Sequence, residues 1–238
     1  MKKAIVIGAT SGIGRGLAKI LVENNYQVGI TGRRTHLLEE IKAENPSKYI
    51  TKTIDTTDLI SITNKLTELC NELGGLDLLI ISSGTGDINP ELNFEIEKRT
   101  IDTNVSGFTL IAGWAFNYFL QQKQGHIVVI SSIAGLRGSR MAPSYSATKA
   151  YQLNYCESLR QKANKLPFKI TVTDIRPGLI DTDMAKGDGL FWVMPVEKAC
   201  KQMYSAICNK RKVVYVTKRW GLLARLMKII PQYLADRM

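Results

Sequence analysis

The chain has 238 residues, 45% of them hydrophobic, enough for one large α/β domain with a substantial core. Its formal net charge of +11 is concentrated in Asn209 to Met238, where eight Lys or Arg face one Asp; this favours anionic partners, but no nucleic-acid recognition motif accompanies it. Cys70, Cys156, Cys200 and Cys208 form no CxxC and have no histidines at metal spacing, which argues against a metal or disulfide framework and for reduced thiols in the cytoplasm.

Met1-Lys2-Lys3 is a basic flank without the longer apolar core of a signal peptide, and it leads into a strand. Short β-branched runs predict strands at Lys3–Ile7, Gln27–Thr31, Tyr49–Ile54, Leu76–Ile81, His126–Ser131, Phe168–Asp174 and Lys212–Thr217. Amphipathic helix patterns separate them, so the expected fold class is α/β: a single doubly wound Rossmann domain, about seven parallel strands with helices on both faces. That domain spans 1–217, and residues 218–238 form a basic amphipathic extension packed on it.

Between the first strand and the first helix lies Gly8-Ala9-Thr10-Ser11-Gly12-Ile13-Gly14. A turn of this kind aims free backbone N–H groups and the positive helix end at an anion, and its glycines admit a pyrophosphate. The second strand ends Thr31-Gly32-Arg33-Arg34. No carboxylate stands there to accept a ribose 2′-hydroxyl; Arg33 or Arg34 suits a 2′-phosphate, the alternative being a solvated basic turn. Asp55-Thr56 closes the third strand, and Ser82-Ser83-Gly84 follows the fourth. Asp102-Thr103-Asn104 is expected to open a long helix to about Gln122, apolar on more than one face and therefore buried. The uncharged stretch Thr103 to Gln122 is broken by Asn104, Ser106, Gly107, Gly113 and Asn117, which argues against a membrane span.

The fifth strand delivers Ser131 and Ser132 to a Gly-rich loop, after which Tyr145 and Lys149 lie one turn apart on a helix. A free Tyr hydroxyl titrates near pH ~10, and a neighbouring ammonium stabilises its phenolate and lowers that value. Tyr145 is then suited to exchange a proton with a carbonyl or alcohol oxygen.

With the Gly-rich turn, Asn104 and Ser132, this Tyr-x-x-x-Lys spacing makes the chain resemble the short-chain dehydrogenase/reductase family over residues 3 to about 217. The resemblance implies a catalytic set of Asn104, Ser132, Tyr145 and Lys149. Asn104 would distort its helix and use the freed carbonyl to hold a water beside Lys149. The GxxxGxG spacing resembles the family's cofactor loop, so Gly8, Thr10, Ser11, Gly12, Ile13 and Gly14 would hold the dinucleotide. Arg33 and Arg34 would favour NADP(H) over NAD(H), although the basic residue many NADP-preferring members carry in the loop is Ser11 here.

Asp55, with Thr56, would meet the adenine; its alternative role is a helix cap. Ser83 and Gly84 stand where the family has Asn-Asn-Ala-Gly, a departure that removes side-chain amide bonds steadying the central strand. Pro177, Gly178, Ile180 and Thr182 would contact the nicotinamide end, joined there by Tyr145 and Lys149. Asp183 to Met194, with Leu190, Phe191 and Trp192 and hinges at Gly187 and Gly189, is a candidate substrate lid. The two long helices resemble the family's dimer interface, which implies a homodimer or homotetramer, or else they are buried within one subunit.

The expected function is an NADP(H)-dependent carbonyl reductase or alcohol dehydrogenase for a hydrophobic small molecule, without nucleic acid. The alternative is a catalytically idle dinucleotide-binding protein acting through its tail. A helical reading of Lys218 to Gln232 sets Lys218, Gly221, Arg225, Lys228 and Gln232 on a polar stripe beside a broad apolar face. That helix either packs over the pocket or an interface, the favoured reading, or lies on an anionic membrane.

Overall fold

The structure is a computed structural model that describes residues 1–185 and 191–237, the side chain of Lys228 excepted. Its strands are β1 (Lys2–Ile7), β2 (Tyr26–Gly32), β3 (Tyr49–Thr53), β4 (Leu78–Ile81), β5 (Gln124–Ile130), β6 (Lys169–Pro177) and β7 (Val213–Val216). All pair in parallel in the order β3-β2-β1-β4-β5-β6-β7. Successive strand residues point to opposite faces, and both are buried, which is why the runs read as continuously apolar. Ile5, Ile7, Leu79, Ile127 and Val129 pack on one side with α3 (Ile62–Leu73), α5 (Phe108–Gln122) and α6 (Pro143–Ala163). Ala4, Val6, Val28, Ile80 and Val128 pack on the other with α1 (Gly12–Glu23), α2 (Thr35–Glu44) and α7 (Val196–Cys208).

From β1 the chain winds outward to β3, then returns to lay β4 to β7 on the other side. The strand order therefore reverses between β1 and β4, and the crevice above their C-terminal ends is where ligands bind in open parallel sheets.

Two boundaries differ from the sequence expectation. The helix expected to open at Asp102 is entered earlier, by α4 (Phe94–Ile101), because Asn93 caps it by accepting from the Glu95 N–H at 3.0 Å. Asp102–Gly107 is a π-helical turn joining α4 to α5. The tail helix α8 (Lys218–Ile229) stops short of Gln232 because Pro231 forces the preceding residue out of helical geometry; Ile230 has ψ 124°. A short α9 (Gln232–Ala235) follows. Among the described residues no helix is long and apolar enough to cross a membrane.

Candidate active site

The glycine turn sits at the switch point. Gly8 and Gly12 have φ of +81° and +54°, backbone conformations that L side chains rarely adopt, and a Cβ on Gly8 would fall 2.7 Å from the Ser83 nitrogen. Ser11 precedes α1 without a side-chain cap, so the first-turn N–H groups of Gly12, Ile13 and Gly14 point outward unpaired by a capping side chain. Such donors fit a pyrophosphate. Thr182 faces this turn: its Cγ2 would lie 3.2 Å from a Cβ on Gly12. No cluster of three or more metal-ligating side chains occurs among the described residues.

Arg34 turns back over the loop, donating from one guanidinium nitrogen to Thr10 Oγ1 at 2.7 Å and Ser11 Oγ at 2.8 Å. Arg33 is exposed beside it. Asp55 accepts from the Thr57 N–H at 2.9 Å and hydroxyl at 2.8 Å, so one of its oxygens closes a local turn; Thr56 is buried behind it.

Asn104 lies in the π-helical turn, fully buried. Its carboxamide accepts from the Thr85 N–H at 2.9 Å and donates to the Thr85 carbonyl at 2.7 Å, with a further bond to Thr148 Oγ1 at 3.1 Å. The loop after β4 is thus gripped by Asn104. A Cβ on Gly84 would stand 3.4 Å from Asn104 Oδ1 and 3.5 Å from Lys149 Nζ, so this glycine lies between the two.

At the end of β5 the two serines part. Ser131 donates to Asp174 and to the Ile175 carbonyl, which commits it to the core. Ser132 accepts from the Ala134 N–H at 3.1 Å and sits close enough to Tyr145 to favour its ionised form. Tyr145 enters on the first turn of α6, which Pro143 opens. Its ring packs on the loop after β4. Burial raises the Tyr145 hydroxyl above its ordinary value, against the lowering effect of Ser132.

Lys149 Nζ stands 5.7 Å from the Tyr145 ring centre. It donates to the Ile130 carbonyl at 3.2 Å and to Gln152 Oε1 at 3.1 Å. Burial pulls it down to about 8, while the buried Asp174 carboxylate opposes that fall. Asp174 is held by Arg176 at 2.7 Å. The expected electrostatics are therefore altered: Lys149 is lowered by burial, and Tyr145 is raised rather than lowered because desolvation outweighs its partners.

Gln152 escaped the sequence reading. Its Nε2 donates to the Asn104 carbonyl at 3.0 Å, so its side chain bridges the two groups between which the resemblance puts a water. The signal was present in the helical spacing, because Tyr145, Lys149 and Gln152 fall on one face of α6.

At the far end of the crevice Pro177 closes β6 and Gly178 donates to the Val216 carbonyl at 2.8 Å. Trp220 of α8 covers Gly178 so closely that a Cβ there would meet the indole at 2.2 Å. Ile180 is buried and bridges to Met194; Thr182 Oγ1 donates to the Ile180 carbonyl at 3.3 Å. Of the candidate lid, Gly187, Gly189 and Leu190 lie outside the described residues. Phe191 lies tilted against Trp220 with ring centres 5.3 Å apart, and Trp192 meets it edge to face at 5.8 Å.

A family model described as short chain dehydrogenase matches residues 2–189. An uncharacterized oxidoreductase of Myxococcus xanthus is 29% identical over 99% of this chain and 95% of its own length. A short-chain dehydrogenase structure from Streptomyces avermitilis has a TM-score of 0.83 at 22% identity, covering 95% of this chain and 91% of that one. A closed form of serine dehydrogenase complexed with NADP+ gives 0.81 at 24%, covering 90% and 94%.

Proposed function

The chain belongs to the short-chain dehydrogenase family of oxidoreductases, and on that premise we propose that it interconverts a carbonyl and an alcohol on a hydrophobic small molecule with NADP(H). The observation that carries the reading is the convergence of Ser132, Tyr145 and Lys149 with Asn104, beside the uncapped N-terminus of α1.

The dinucleotide, when bound, supplies or accepts the hydride. The turn from Gly8 to Gly14 holds its pyrophosphate, Arg34 with Arg33 its 2′-phosphate, and Asp55, Thr56, Ser83 and Gly84 line its adenosine side. Pro177, Gly178, Ile180 and Thr182 line the nicotinamide end with Tyr145 and Lys149. Ser132 donates to the substrate oxygen. Tyr145, kept protonated by burial, gives that oxygen its proton in reduction and takes it back in oxidation. Charged Lys149 stabilises the phenolate that remains. Ile88, Leu92, Met141, Phe191 and Trp192, all exposed around this end of the sheet, suit an apolar substrate.

Fluorescence titration with NADPH and NADH tests the cofactor. NADPH should bind tenfold or more tightly, about 1.4 kcal/mol, and Arg34→Ala should erase the difference. Equal or tighter NADH binding overturns the clamp. A Tyr145→Phe protein that reduced carbonyls at the wild-type rate would remove Tyr145 from the chemistry.

A second reading concerns the tail, which forms one unit with the domain and on which α8 is apolar on two sides. Trp220 and Ala224 face inward, whereas Leu222, Leu226 and Ile229 face out at 72%, 51% and 75% exposure. Among the described residues, a groove of about 1340 Å³ between α7, β7 and α8 is lined by six cations, among them Arg219 and Arg225, with Lys201 paired to Glu197. This pattern fits an anionic lipid surface. Co-flotation with phosphatidylglycerol vesicles, lost in neutral vesicles and in the Leu222→Ser, Leu226→Ser, Ile229→Ser variant, is the expected result; equal recovery in all three overturns it. Association of two or four copies belongs instead to the α5–α6 face, where Tyr151 and Tyr155 stack at 5.7 Å.

A further inference from the structure

We propose that Gln152 is a positioning residue of the Tyr145–Lys149 centre: its side-chain amide ties the Lys149 ammonium to the Asn104 carbonyl, so one group holds both the charged end of the lysine and the π-helical turn. The inference rests on the reading of Lys149 as the partner of Tyr145. Gln152 is 1% exposed, Asn104 0% and Lys149 4%, so no part of the bridge is shared with bulk solvent.

The orientation of the amide is fixed by its partners. A lysine ammonium has only donors and a backbone carbonyl only acceptors, so Oε1 must face Lys149 and Nε2 must face Asn104. Neither contact is interchangeable with solvent, and turning the amide over would break both. The same residue therefore answers two demands created by the site. The first is a buried cation, which needs acceptors to remain charged. The second is a buried carbonyl in a widened turn, which needs a donor.

Every element packed on Lys149 bears on its charge. From α6 come the Tyr145 phenol and the Cys156 thiol, the latter kept neutral by burial. β5 offers the Ile130 carbonyl, and β6 offers Asp174, itself engaged by Arg176 and Ser131. The π-helical turn and the loop after β4 present Asn104 and Gly84, neither charged. Among the described residues the ammonium donates to Gln152 Oε1 and the Ile130 oxygen, so removal of one leaves desolvation less opposed and lowers the Lys149 pKa.

Gln152→Met keeps the length and bulk of the side chain and removes both polar bonds. In protein labelled with ¹³C-lysine, with the Lys149 resonance identified by its loss in Lys149→Met, the titration midpoint of Lys149 should fall by about half a pH unit or more. Gln152→Glu, which retains an oxygen facing Lys149, should return the midpoint to the wild-type value or above. An unchanged midpoint in Gln152→Met, or a Gln152→Glu midpoint below wild type, overturns the proposal. If Gln152→Met fails to fold, the Gln152→Glu midpoint decides alone by the same criterion. This readout needs neither substrate nor cofactor: failure of the wild-type protein to bind NADPH would sink the functional reading and leave the Lys149 titration readable.

Discussion

Gly86 has no room for a methyl group: a Cβ there would stand 2.2 Å from the Tyr145 ring. The contact is with a ring hemmed in by its own helix, so Gly86→Ala must push either the loop or the phenol away from Ser132. The expected outcome is a fall in turnover of tenfold or more, since displacements of this size misplace reacting groups, larger than any loss of NADPH affinity in a fluorescence titration. Near the middle of β5, His126 is buried against Thr173 Oγ1 at 2.8 Å, and burial pulls its imidazole down to about 4. Unfolded, it titrates near the ordinary histidine value of 6.5. Below that pH the unfolded chain takes up a proton the folded chain refuses, so stability drops as pH falls from about 6.5 to about 4 and then levels. The component is on the order of 3 kcal/mol, from roughly 2.5 pH units at about 1.4 kcal/mol each. Urea denaturation at pH 7 and pH 4.5 measures it, and His126→Gln should show a correspondingly shallower loss. Neither Gly86 nor His126 stands out in the sequence, because what makes each matter is a neighbour 59 or 47 positions away.

At the scale of elements, α8 is held by a residue far from it in the chain. Arg137, just past the 3-10 turn Ile133–Leu136, donates to the Met227 carbonyl at 2.8 Å, the Ile230 carbonyl at 2.5 Å and Gln232 Oε1 at 3.2 Å. A guanidinium on the last carbonyls of a helix satisfies acceptors the helix cannot pair internally and opposes the negative end of its dipole. The tail is thereby tied to the segment that leads into Tyr145, while Trp220 covers Gly178 at the other end of the same helix. Arg137→Ala should release the C-terminal end of α8, read as faster tryptic cleavage at Arg225 and a melting temperature lower by a few degrees, about 1 kcal/mol for a lost cap. Helical periodicity exposed the two-sided apolar character of this helix, yet the site of attachment depended on Arg137, whose role no local pattern encodes. The π-helical turn is the reverse case. The resemblance anticipated a distortion at Asn104, while the entry through α4 went unseen because its eight residues carry four charges and bury only Thr100, not an apolar face.

Across the whole molecule, one sheet sorts the chemistry to one edge: every parallel strand ends on the same side, so the glycine turn, the loop after β4, Ser132 and the Pro177-Gly178 turn meet above it. The opposite outer surface of α5 and α6 carries Tyr151, half-exposed and bonded to Thr109 Oγ1 at 2.8 Å, next to Tyr155. If copies associate there, the wild-type protein elutes at two or four chain masses and Tyr151→Glu at one; a monomeric wild type removes that face from consideration. The strands, their parallel pairing and the glycine turn were determined by the sequence alone, because period-2 burial, crossover handedness and the steric freedom of glycine are local or nearly local rules. The Tyr145–Lys149 spacing was equally legible, since a helix fixes residues four apart on one face. Only the tertiary structure decided the rest. It drew Ser131 into the core through Asp174 and laid Arg34 on Ser11. It also placed Gln152 between Lys149 and Asn104. Each of these depends on which side chains meet in a buried space, where a polar group must find a partner and a charge must be answered, and such meetings are set by how the layers pack and not by spacing along the chain.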